Sequence, residues 1–197
     1  MKVFNDTTWH EMHRRWTLGE LDSTTFGVGR ENQEAVRTLL ESGNETFESK
    51  GILSHHKRIN YWNSLPADTE WKTARLELTD LEFERIRTIQ DPQGWGFLTN
   101  GSYKLVDAAL NIESGTRVDA RISGAVSALS LGSLNLTGIT LHSTLGSEVY
   151  TVAEGSARLV ALYLCCVKNV PKPQCIDAID VIWGVSKARW IWSPSHG

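Results

Sequence analysis

Five consecutive residues carry the most chemistry in this chain: Glu154, Gly155, Ser156, Ala157 and Arg158. They lie between a strand-like run, "EVYTVAE", and a helix-like run, "SARLVALYLCCVKN". A glycine at such a corner allows backbone angles that other residues avoid, and lets a ligand approach the main chain. The first turn of the following helix has free N–H groups and the positive end of the helix dipole, which together favour anions, phosphates above all. Ser156 adds a hydroxyl and Arg158 a guanidinium fork suited to phosphate or carboxylate. Glu154 adds a carboxylate able to hold a metal ion or act as a base. The same residues also fit an ordinary strand-to-helix joint in which Arg158 pairs only with Glu154.

Other residue groups are less specific. "WHEMH" places His10 and His13 three apart around Glu11, whereas a zincin helix needs its histidines four apart. His55 and His56 are adjacent and diverge on a helix; His56 is the one considered for a ligand pocket. Trp95, Trp190 and Trp192 could line that pocket, since an aromatic wall stacks on a base or covers a cation. They serve equally well as core. Cys165, Cys166 and Cys175 are odd in number and lack C-x-x-C spacing, so they predict neither a disulfide framework nor a zinc knuckle.

The elements that must position these groups follow from periodicity and punctuation. Asn5, Asp6 and Thr7 offer caps for a first helix, "RENQEAVRTLLESG" predicts a second ending at Gly43, and "SHHKRINYWNSLP" a third. "WKTARLEL" alternates as a strand, and Thr79 with Glu82 forms a capping box for a short helix. "QDPQGWGFLTNGS" is a loop, a candidate lid, and "SYKLVDAALNI" and "RVDARISGAVSALS" are helices. "LTGITLHS" and "EVYTVAE" are strands joined by "TLGS", and "IDAIDVIWGV" is a central strand. The expected organisation is a helical lobe over residues 1–66 and an α/β (α+β) domain over 67–197.

The stretch "VYTVAEGSARLVALYL" resembles the nucleotide-binding motif of the ParB/sulfiredoxin superfamily: strand, acidic residue and Gly, two variable residues, Arg, then an apolar helix. Glu154, Gly155 and Arg158 match its framework, and the order of elements over roughly residues 70–192 agrees. The resemblance implies a mixed sheet with flanking helices, with Gly155, Ser156, Ala157 and Arg158 on a phosphate. It implies ATP or another nucleotide with Mg²⁺ as cofactor, and Glu154 and Ser156 as catalytic groups. Ser156 stands where sulfiredoxins have their reactive cysteine and Ala157 where they have histidine, so sulfinic-acid reduction is not expected. No "QxR"-like box follows the first strand, and too little chain follows Arg158 for a DNA-reading helix-turn-helix domain. The free-serine-kinase branch remains. Its catalytic glutamate follows the first strand, where this chain has Glu82 and Glu84.

The 197 residues carry a net charge of −3, with 41% hydrophobic and 22% charged residues, enough apolar material for a full core. The only short basic clusters are Arg14-Arg15 and Lys57-Arg58, so direct DNA binding is not expected. The N-terminus has no signal-peptide apolar stretch and no run is long enough to span a bilayer, which predicts a cytoplasmic protein with no membrane partner. The expectation is binding of a nucleotide or phosphorylated small molecule, for phosphoryl transfer to a small, amino-acid-like substrate or NTP hydrolysis. Two alternatives stay open: a non-catalytic nucleotide-sensing or DNA-associated regulator, and a lyase or hydrolase on the same scaffold.

Overall fold

The run Ala178–Ser186 carries apolar residues on both faces, broken by Asp180, and such a run belongs in the interior of a sheet. In the structure, a computed structural model that describes residues 1–21, 37–38, 41–42, 63–168 and 176–194, it is an interior strand of a six-stranded mixed sheet. The strands are β1 (Lys2–Thr7), β2 (Glu70–Glu77), β3 (Ile86–Arg87), β4 (Thr140–Thr144), β5 (Tyr150–Glu154) and β6 (Ala178–Ser186). Their order across the sheet is β1-β2-β6-β4-β5-β3. The pairs β1/β2, β2/β6 and β4/β5 are antiparallel, and β4/β6 and β3/β5 are parallel.

Helices among the described residues include α1 (Trp9–Leu21), α2 (Asp80–Phe83), α3 (Trp95–Leu98), α4 (Leu105–Glu113), α5 (Ala120–Ser130) and α6 (Ser156–Leu162). A π-helical turn, Tyr163–Lys168, continues α6. The wide apolar surface of this segment is buried from Leu159 to Leu164, with Cys166, as the sequence predicts. Burial raises the pKa of the Cys165 thiol, which packs against the core, while Cys166 is buried within it. The Thr79 cap also forms: its hydroxyl accepts the N–H of Glu82 at 3.3 Å. No described helix is long and apolar enough to cross a membrane.

The N-terminus departs from expectation. Asn5, Asp6 and Thr7 do not cap a helix; they are the end of β1, registered against Thr73, Lys72 and Trp71. Thr8 takes the capping role, its hydroxyl accepting the N–H of Glu11 at 3.1 Å. The reason is legible in burial. β1 is an edge strand exposed along nearly its whole length, so it has no buried face to print an alternating pattern. Met12 and Trp16 of α1 are fully buried in the same core cluster as Leu141, Val152, Leu159 and Ile182. The first 21 residues therefore belong to the sheet's own packing. Most of residues 22–62, with His55, His56 and Trp62, lies outside the described residues. The predicted loop at 90–102 contains α3, fixed by Asp91, whose backbone and side-chain oxygens accept the N–H groups of Gly96 at 2.7 Å and Gly94 at 3.2 Å. Trp95 and Leu98 anchor it in the core.

One glycine shows how closely α1 is seated. Gly138, just before β4, has φ 78°, and a Cβ there would lie 2.1 Å from the carbonyl oxygen of Arg15. Gly132 has φ 68° with nothing within 4 Å of a Cβ. Gly132→Ala is therefore expected to cost about 1 kcal/mol, the left-handed penalty alone. Gly138→Ala should cost about 3 kcal/mol or more, because backbone must move as well. Urea unfolding of the two variants checks this; equal losses would refute the tight seat of α1.

Candidate functional site

β5 ends at Glu154, Gly155 makes the corner at φ 93°, ψ 17°, and Ser156 begins α6. A Cβ on Gly155 would lie 2.8 Å from Ile139 Cγ1, so the corner needs glycine for both angle and space. The first bond within the helix runs from Leu159 N–H to Gly155 C=O, 2.9 Å. The N–H groups of Ser156, Ala157 and Arg158 have no protein acceptor among the described residues, and no side chain caps the helix. They are the unpaired donors that every helix start carries.

Arg158 does not reach toward those donors. Its Nη1 donates to the carbonyls of Asn135 at 3.0 Å and Thr137 at 2.5 Å, and its Nη2 to Glu154 Oε1 at 3.3 Å. Its side chain is only 12% exposed. Gly19 of α1 closes the arrangement: a Cβ there would lie 2.7 Å from Thr137 O and 3.0 Å from Arg158 Nη2. The guanidinium therefore clasps the loop before β4 to the end of β5, beneath α1. The ion pair of the ordinary-joint reading is present, and the residue expected to hold phosphate has structural partners.

The other predicted residues lie apart from this turn. Glu82, on α2, is buried and bonded to the Met1 ammonium, with its Oε2 lacking a hydrogen-bond partner. Glu84 faces Lys104 at 3.8 Å. Trp95 is buried with the Arg121 guanidinium 5.2 Å from its ring centroid. Trp190 is fully buried and donates to Ser64 Oγ at 2.9 Å, and the carbonyl of half-buried Trp192 accepts the N–H of Gln90 at 2.7 Å. His56 lies outside the described residues. Glu11 joins Arg14 and Arg15 instead of a metal; its hydrogen bond to Arg14 leads in holding its carboxyl below the usual range. Among the described residues no group of three or more His, Cys, Asp or Glu could hold a metal ion.

The sequence reading missed a buried pair. His142 Nε2 lies 3.0 Å from Ser186 Oγ, and both side chains are inside the protein. Ser186 Oγ donates to Ala188 O at 2.6 Å, so it accepts from the histidine, whose Nε2 carries the hydrogen. This is the wrong direction for a base activating a serine. His142 Nδ1 is then an acceptor without a partner. Burial pushes the His142 pKa down to about 4, against a smaller opposing pull from Asp68. A histidine in the strand "ITLHS" gave the only hint, and alternation alone did not distinguish buried from exposed.

No protein-family model, no curated protein and no solved structure matches this chain.

Two outcomes follow from this geometry. Arg158→Ala removes the donor to two carbonyls and the ion pair of half-buried Glu154, and should cost about 2 kcal/mol or more in denaturant unfolding. A neutral effect would contradict the clasp. For His142, the unfolded chain titrates near pH 6.5 while the folded chain resists protonation until about pH 4. Above pH 6.5 the residue contributes no pH dependence. Between pH 6.5 and 4 the unfolded state takes up the proton first, so stability decreases as the pH is lowered, by roughly 3 kcal/mol in total. His142→Gln should flatten that part of the curve relative to the natural protein; parallel curves would exclude this origin.

Proposed function

We propose that the chain binds the phosphate of a nucleotide, or of another phosphorylated small molecule, at the Gly155–Ser156 turn. The observation that carries this reading is the set of three unpaired N–H donors, on Ser156, Ala157 and Arg158, at a helix start reached through a left-handed glycine. With the Ser156 hydroxyl beside them, they suit the oxygens of a phosphate. The match of Glu154, Gly155 and Arg158 to the superfamily motif supports the same placement. Arg158 acts here by holding the turn in shape, and Glu154 by holding Arg158.

The reaction class this reading carries is phosphoryl transfer from ATP to a small substrate, or NTP hydrolysis. Such chemistry rests on positioning and on stabilising charge over the phosphate oxygens, which backbone N–H groups do without reorganising. The phosphate fits the donor set. A protein-held magnesium ion does not, because Glu154 is the turn's single carboxylate and Arg158 is bonded to it. No step is therefore assigned to a metal at this position.

Calorimetry with ATP, ADP and CTP, with and without Mg²⁺, tests the reading in the natural protein and in Ser156→Glu. A glutamate at the first helical position suits the helix dipole, so folding should be kept. It also puts a negative charge at the phosphate position, and affinity should fall by about tenfold or more. Absence of nucleotide binding, or binding that Ser156→Glu leaves unchanged, overturns the proposal.

A further inference from the structure

A second anion-favouring feature borders the loop that Arg158 clasps. A groove of about 530 Å³ runs between α1, β2, β6 and the segment before β4. Arg14 and Arg15 reach it from α1, and Arg75 from β2. A neighbouring hollow of about 440 Å³ shares Arg15 and Asp180 with it and adds Phe4 from β1. Partners in adjacent strands share a face of a sheet. Arg75 pairs with Asp180, and Thr73, two residues back on the same face, pairs with Ile182. These side chains therefore stand on one face, the one α1 covers in part.

Charge in this region is uneven. Among the described residues, Arg14, Arg15 and Arg75 line the groove with one carboxylate, Asp180, and Arg14 is also near Glu11 and Glu41. Glu11 is shared by Arg14, through bonds of 2.6 Å, and by Arg15, at 2.5 Å. Asp180 takes the Nε of Arg75 at 3.3 Å. The terminal amino groups of Arg15 and Arg75 have no protein acceptor among the described residues. Arg75 is about half exposed, with its guanidinium 5.6 Å from the centroid of the Phe4 ring, itself 42% exposed. Leu18, Leu136 and Ile139 supply apolar wall. Positive forks over an apolar wall with one open aromatic ring make a receptor for a molecule that has both an oxyanion and an apolar or planar body.

We infer that this groove is a binding site for a small organic oxyanion, a phosphate or carboxylate on an apolar or planar body, seated between Arg15, Arg75 and Phe4. It is separate from the Ser156 turn and does not depend on the reading given to that turn.

The test uses the full chain carrying Ser156→Glu, so that the turn contributes no anion binding. Phenyl phosphate, benzoate, inorganic phosphate and benzyl alcohol are titrated by calorimetry. Phenyl phosphate or benzoate should bind, inorganic phosphate about tenfold more weakly, and benzyl alcohol not detectably. Binding of both aryl anions supports a general oxyanion site, and binding of phenyl phosphate alone supports a phosphate site. Arg15→Gln and Arg75→Gln should each weaken the aryl anion by about tenfold. Arg75 is exposed enough that its replacement should leave thermal unfolding nearly unchanged, so it remains decisive if Arg15→Gln unfolds the protein. Phe4→Ala should weaken phenyl phosphate and leave inorganic phosphate unaffected. The inference is overturned if neither aryl anion binds, or if Arg75→Gln leaves their affinity unchanged.

Discussion

The Arg158 guanidinium ties the loop before β4 to the end of β5, two strands that also pair directly through Thr140 and Glu154. It binds the carbonyls of Asn135 and Thr137 and the carboxylate of Glu154, so the entry to β4 and the exit from β5 are fixed by one planar group. A buried guanidinium is costly unless its donors are satisfied and a countercharge is near. Here three oxygens from two segments, one of them charged, meet that requirement. The geometry of the turn and of the loop are then a single constraint. α1 lies on that same loop through Gly19 and Gly138, positions where a Cβ would press on Thr137 or on Arg15. The N-terminal helix is thus fastened to the feature that shapes the β5–α6 corner.

This arrangement separates two roles that sequence reasoning combined. In a motif of acidic residue, glycine and arginine, the arginine looks like the ligand-binding group because it is the permanent charge. In this fold the arginine is internal, and the groups at the corner that lack an acceptor among the described residues are backbone N–H donors, which no residue type advertises. The carboxylate likewise serves the arginine. What was readable was the corner itself, because a glycine between a strand pattern and an apolar helix pattern marks the point where the chain turns through a left-handed φ. Which way a long side chain turns depends on whether carbonyls from a distant loop are waiting for it. Asn135 and Thr137 are more than twenty residues away from Arg158, outside any local pattern.

The same division runs through the fold. Strands with a buried face, β2, β4, β5 and β6, were legible from alternation or continuous apolar runs, and α4 and α5 from helical spacing. β1 was not, because an exposed edge strand is held by its backbone ladder and leaves its side chains unconstrained. His142 and Ser186 were not, because their pairing depends on β4 lying parallel to β6, a topological fact. The tryptophans show the opposite limit. Their number predicts aromatic packing, but Trp95 and Trp190 are both buried, and no spacing rule assigns them between core and cavity.

Electrostatics connects the two candidate anion positions. The chain as a whole is negative, at −3, so any anion it binds must find a local excess of donors. The β5–α6 corner supplies this without a free side-chain cation, because the helix start gathers partial charges that cannot be titrated away. The groove beside the loop supplies it by sharing: Glu11 bonds both Arg14 and Arg15, and the terminal amino groups of Arg15 have no acceptor among the described residues. The two positions differ in what they can discriminate. In the proposed corner site, backbone donors would read the oxygens of a phosphate and little else. Guanidiniums beside Phe4, Leu18 and Ile139 read the anion and the body attached to it, so selectivity for the organic part of a ligand has its physical basis in the groove and not in the corner.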